Sequence, residues 1–89
     1  MSVFLLDGKD MTSREVAFRK IQEVMGLPEY FGQNLDALYD CLSDLPKETN
    51  IVIVNETNLR FNLEAYGEKM LACFRDAAEE CGFTLVEKD

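Results

Sequence analysis

Three aspartates, Asp36, Asp40 and Asp44, recur at intervals of four residues. On a helix that spacing places their carboxylates on one stripe. From Ile21 to Pro46 the chain has no lysine or arginine, while Glu23, Glu29 and the three aspartates are all present. Such a row can accept paired, charge-assisted hydrogen bonds from the arginines and lysines of a basic partner. A pair such as Asp36 and Asp40 could instead hold Mg²⁺ through water, although four-spaced aspartates are a weak signal for that. Two plainer readings are a solvated face and pairing with a lysine brought from elsewhere in the fold. Stability alone argues against leaving the row bare. Like charges four apart cost a helix about 0.2–0.5 kcal/mol per pair, and Asp44 falls near the helix C-terminus, where the dipole disfavours an anion. On charge alone these readings stand level. Tyr30, Phe31 and Tyr39 flank the stripe. Rigid aromatic rings are enriched at interface cores, so they tip the reading toward a protein-binding surface, with core packing the expected role of one of the three. A second acidic set, Asp76, Glu79 and Glu80, lies in the last third of the chain. Asp76 and Glu80 share a helical face, and Arg75 is expected to pair with Glu79.

Catalytic chemistry finds little support. The chain has no histidine, which excludes Ser-His and Cys-His pairs. No glycine-rich phosphate loop is present. Cys41 could be a nucleophile only with a base, and none is evident; a small buried thiol is the better reading. No cofactor is implied, and the protein is not expected to be an enzyme.

The totals narrow the partner. The net charge is -8 and the isoelectric point about 4.4. Nucleic acid and anionic membrane, both negative, are therefore disfavoured as partners, and a basic partner is favoured. Three cysteines, Cys41, Cys73 and Cys81, form no disulfide framework and suit a reducing cytoplasm. The N-terminus has neither the basic start nor the apolar length of a signal peptide, and no apolar stretch approaches the ~20 residues of a membrane helix. A cytoplasmic location follows as the expectation. Eighty-nine residues make one small domain, 1–89, able to bury a single core without staples. No patch demands a dimer, so a monomer is expected.

The elements that must position the acidic row can be read locally. Val3 to Leu6 is a short apolar run ending at the turn signal Asp7-Gly8, which predicts a buried strand. Thr12 and Glu15 fit a capping box, with Met11 and Val16 as its hydrophobic staple. Ala17, Ile21, Val24 and Met25 then recur at helical spacing until Gly26 and Pro28. Asn34 is a good N-cap for a second helix running to about Leu45, with Leu35, Leu38, Leu42 and Leu45 on one face. Residues 51–54, IVIV, predict a strand covered on both faces. The stretch from Asn55 to Asn62 reads ambiguously, as a turn and a short helix. Leu63, Tyr66, Met70, Cys73, Phe74, Ala77 and Cys81 line a long last helix, weakened at its start by Gly67 and capped by Gly82. A third strand is expected over Phe83 to Val86. Helical crossovers between strands imply parallel pairing. The predicted class is α/β, a three-stranded parallel sheet with packed helices, and a sheet this small is expected to be covered unevenly, with lopsided layers.

The run LPEYFGQNLDALYDCL, Leu27 to Leu42, resembles the barstar family, intracellular inhibitors of the secreted ribonuclease barnase. A weaker match continues through Phe74 to Ala77 and at Glu80. The resemblance covers essentially the whole chain, thinly between Asn50 and Glu68. It implies the same sheet-and-helix fold and a site built from the second helix and the loop before it, which in the family plugs the ribonuclease active site. By position, Tyr30 and Phe31 match the paired loop aromatics, Gly32 the glycine after them, and Asn34 the capping asparagine. Asp36 and Asp40 match the two helix aspartates, and Asp40 the one that enters the phosphate pocket. Tyr39 stands where the family has tryptophan, Ser43 where it has threonine and Asp76 where it has glutamate, while Glu80 matches a glutamate at the edge of the contact. The chain departs from the pattern in three ways. Phe31 lacks a hydroxyl, Leu45 occupies the region of a tryptophan that follows the second helix, and the loop after that helix is shorter. These departures bear on which enzyme is bound more than on how.

The implied partner is a basic, extracellular-type ribonuclease. Its cleft must hold cations for a phosphodiester, and carboxylates can stand where phosphate oxygens would be. Asp40 is the expected deepest contact, flanked by Asp36 and Asp44. The rival reading keeps the acidic face but gives it another basic protein, as a nucleic-acid mimic or a shield against a toxin that is not a ribonuclease.

Overall fold

The computed structural model describes residues 2–29 and 31–89. Apolar, β-branched segments form three parallel strands: β1 (Val3–Asp7), β2 (Asn50–Val54) and β3 (Thr84–Glu87), in the order β1-β2-β3. Phe4 pairs with Ile51, Leu6 with Ile53, and Ile51 with Leu85. A single 3-10 turn, Gly8–Asp10, follows β1; then come α1 (Arg14–Met25) and α2 (Leu35–Ser43) before β2, and α3 (Glu56–Leu63) and α4 (Ala65–Cys81) before β3. The α/β class with a three-stranded parallel sheet is therefore as the sequence predicted.

The sheet is covered unevenly, as its small size predicted, and on one face only, which corrects the two-sided reading of residues 51–54 and the fully buried reading of β1. Side chains alternate along a strand, and here Leu6, Ile51 and Ile53 are buried. Val3 and Leu5, on the opposite face, remain 62% and 57% exposed. Val52 and Val54 are half-buried. The helices pack over the Leu6–Ile51–Ile53 side, with α1 against β1 and α4 against β3. Three strands of five, five and four residues are too small a surface for four helices to divide between both faces. Instead α2 and α3 pack on α4.

The helix boundaries follow local chemistry with small shifts. Ser13, not Thr12, caps α1, its hydroxyl accepting from the Val16 amide at 3.2 Å. Met11 is buried before it. Phe18 joins Ala17, Ile21 and Met25 on the buried face of α1, while Val24 is exposed. Gly26 ends the helix at φ 65°, a left-handed conformation natural to glycine. The ambiguous stretch after β2 is a full helix, α3, and Leu63 belongs to it and not to α4. The break falls at Glu64, at φ 55° and ψ -131°. Gly67 has a packing role: a Cβ there would lie 3.0 Å from Leu59 Cδ2 and 3.1 Å from the Leu59 carbonyl oxygen, so its bare backbone lets α3 rest on α4. Phe83, expected in β3, is buried just before that strand.

Candidate functional site

Asn34 starts α2 as the sequence predicts: its backbone is extended and its side-chain oxygen accepts from the Ala37 amide at 2.8 Å. A Cβ on Gly32 would come within 3.2 Å of the Asn34 amide nitrogen, so the glycine leaves room for that cap. From this start the helix turns Leu38 and Leu42 fully inward, with Leu35 and Leu45 half-buried. Asp36, Asp40 and Asp44 are thereby turned to solvent, and all three are exposed. The helix ends at Ser43, whose hydroxyl donates to the Asp40 carbonyl at 2.7 Å, and Asp44 is its C-cap.

Packing of α2 on α4 joins the two acidic sets that are 40 residues apart in the chain, as Asp36 and Asp76 are. The Cys73 thiol donates weakly to the Leu35 carbonyl at 3.7 Å. Asp76 and Glu80 are exposed on α4. Burial pushes the Cys73 thiol up to about 11, with Asp76 and Asp36 adding to the shift. Carboxylates from both helices therefore converge on one thiol. The Tyr39 hydroxyl donates to Glu80 Oε2 across the helix junction, a contact the sequence does not reveal. That bond, reinforced by desolvation and by nearby negative groups including Asp76, pushes the phenol up to about 12.

No counterion from the described residues pairs with this face. Among the described residues the ion pairs are Arg60 with Glu56 and Glu68, and Arg75 with Glu87. None involves Asp36, Asp40, Asp44, Asp76 or Glu80. The expected Arg75–Glu79 pair is not formed. Arg75 reaches β3 instead and grips Glu87 with both Nε and Nη2, at 3.0 and 2.7 Å. A fork-to-carboxylate bond of that geometry is stronger than a flexible pair on a helix surface.

The aromatics divide. Phe31 is only 8% exposed and its ring lies 6.0 Å from that of Phe18, tilted by 60°. Its side chain is a core anchor for the loop and not an outward contact, which corrects its assignment to the binding surface. An apolar ring without a hydroxyl has no reason to stay in water. Tyr39 is half-buried, its ring packed at the edge of the core and its hydroxyl outward. Tyr30 lies outside the described residues.

The residues offer little to other chemistries. Burial raises the Cys41 thiol, and Asp44 and Asp40 raise it further, so it is held as a poor nucleophile. Among the described residues, no group of three or more His, Cys, Asp or Glu side chains could hold a metal ion, and no helix is long and apolar enough to cross a membrane.

A family model described as Barstar (barnase inhibitor) matches residues 1–88. The chain belongs to the barstar family. A relative from Bacillus subtilis (strain 168), "Putative ribonuclease inhibitor YrdF", is 34% identical over 83 residues, which cover 90% of this chain and 89% of the relative. With the barstar family as frame, the α2 surface described above coincides with the segment from Leu27 to Leu42 that carries the sequence resemblance.

Proposed function

We propose that this protein is an intracellular inhibitor of a barnase-type ribonuclease, not an enzyme, and that it closes the enzyme's cleft with the acidic face of α2 and α4. The supporting observation is one of charge geometry. Five carboxylates, Asp36, Asp40, Asp44, Asp76 and Glu80, are exposed on two packed helices, and none has an ion-pair partner among the described residues. Membership of the barstar family gives that face a class of target.

The mechanism is imitation of substrate. A ribonuclease cleft holds cations that bind phosphate, and carboxylates meet arginine in the same two-point manner. Asp40, central in the α2 row, enters deepest. Asp36 and Asp44 flank it, and Asp76 and Glu80 extend the negative field along α4. Ser43 and the Gly32–Asn34 turn form the rim of the contact, to which Tyr30 is assigned from the sequence alone, while Phe31 anchors the turn from the core. The net charge of -8 draws a basic enzyme in over distance, so association is fastest at low salt. The inhibitor acts as a monomer in the cytoplasm, binds no nucleic acid itself and needs no cofactor.

Titration of the protein into a barnase-type ribonuclease, with RNA cleavage as the readout, tests the proposal. Stoichiometric loss of cleavage is expected. Full cleavage at excess protein, together with capture of a basic protein that is not a ribonuclease, would transfer the same face to a different target.

A further inference from the structure

The bond between Tyr39 and Glu80 joins side chains 41 residues apart on two helices, and it sits among negative groups. Glu80 has Asp76 one turn away on α4, and the helix carrying the aspartate row packs against α4. Repulsion from these charges, and the wide rotamer freedom of a surface glutamate, would carry an unrestrained Glu80 away from the row. Tyr39 opposes both. Its ring is packed against the core, which leaves the hydroxyl little freedom, and a bond from a hydroxyl to a carboxylate is charge-assisted. We propose that Tyr39 is a positioning residue that sets the site's specificity: its neutral hydroxyl holds the Glu80 carboxylate over the α2 row without cancelling its charge, so the face selects a partner with a cation opposite Glu80.

The choice of donor is the physical point. A lysine or arginine in place of Tyr39 would restrain Glu80 equally well, yet it would neutralise the carboxylate and repel the partner's cations. A phenol donates one hydrogen bond and leaves the formal charge untouched, with Glu80 Oε1 free to accept from the partner. A phenol is protonated at physiological pH and so remains a donor there. Preorganisation of this kind strengthens binding by removing the ordering cost at the moment of contact.

This inference rests on the ribonuclease-inhibitor reading, and a double-mutant cycle separates the two. Dissociation constants for a barnase-type ribonuclease are measured for the parent, Tyr39→Phe, Glu80→Gln and the double variant. Tyr39→Phe keeps the ring and the fold, and it is expected to weaken binding roughly 3- to 10-fold. The double variant should bind no more weakly than Glu80→Gln alone. In the free protein, ¹³C-labelled tyrosine should show one phenol titrating near 12 that is absent in Tyr39→Phe and returns toward the ordinary tyrosine value in Glu80→Gln. Additive losses in the cycle, an unchanged affinity for Tyr39→Phe, or a Tyr39 titration indifferent to Glu80→Gln would each overturn the positioning role while leaving the inhibitor reading intact. A parent protein that does not bind the ribonuclease would remove both.

Discussion

Two acidic regions of this molecule contain the same kind of side chain in opposite circumstances. On the α2–α4 face, carboxylates stand in water with no ion pair among the described residues. Where α3, α4 and β3 meet, Glu56, Glu68 and Glu87 are engaged by Arg60 and Arg75. Glu56 goes further: its side chain is 8% exposed, and its Oε2 has no hydrogen-bond partner among the described residues. Burial first, then the neighbouring Glu87 carboxyl, raises Glu56 to about 7, against the pull of Arg60 and Arg75. Glu87 is lowered, chiefly by its bond to Arg75. Protonation of Glu56 would relieve both the burial of its charge and its repulsion from Glu87. Carboxylates that serve the fold are thus paired or protonated, and those left bare cost the fold a little. That residual cost is what the proposed inhibitory face would carry.

The sharpest way to break the contrast is to remove a bare carboxylate. Asp40→Ala should weaken ribonuclease binding by about 2–5 kcal/mol, a range that barnase and barstar themselves helped to define, while thermal unfolding stays within about 0.5 kcal/mol of the parent. Isothermal titration and a melting curve check both halves. A variant that binds as tightly as its parent would take Asp40 out of the contact.

The buried acid gives the next largest effect, and its sign can be worked out. A carboxyl whose value is higher in the folded state binds its proton more tightly there. Its contribution is complete below about 4.5, the ordinary value, and is lost as pH rises through about 7. Denaturant unfolding of the parent should therefore weaken from pH 5 to pH 8 through this group. Glu56→Gln, neutral at every pH and able to donate to Glu87, should flatten that slope and be the more stable protein at pH 8 by on the order of 1 kcal/mol. An unchanged slope in Glu56→Gln would show that the proton sits elsewhere.

Arg75→Ala removes the cation from the paired corner. Because the arginine is 44% exposed, the loss of stability is expected to be modest, about 0.5–1 kcal/mol, read from the urea midpoint. The smallest effect comes from the reverse operation on the bare face. Asp44→Lys puts a cation at the C-terminal end of α2, one turn from Asp40. It should stabilise the fold by about 0.3–1 kcal/mol and at the same time weaken inhibition, since Asp40 gains an internal partner. Stability and inhibition moving together in this variant would contradict the distinction between the two regions.

Much of the site could be read in advance because its ingredients are local. The asparagine cap, the leucine stripe and the aspartate stripe all lie within a dozen residues, and helical geometry alone separates the two stripes. The fold class was legible from alternating strand and helix signals. Uneven cover of so small a sheet was legible too, but which face would lie open was not, since a run such as IVIV looks the same whether one or both faces are covered. Phe31 was misplaced for a similar reason. A loop aromatic beside an acidic helix suits an interface, and only the position of Phe18 on α1 shows where the ring goes.

By itself, then, the amino-acid order determined that α2 would carry leucines on one side and, on the other, aspartates with no basic residue in their own helix, because side chains four apart on a helix must share a face. The tertiary structure alone decided which charges those aspartates would meet. It sent Arg75 twelve residues onward to Glu87, drew Glu80 toward Tyr39 across 41 residues and buried Glu56 near Glu87 of β3. Each of those choices is a contact between distant segments, and its energy depends on distances that no local spacing contains.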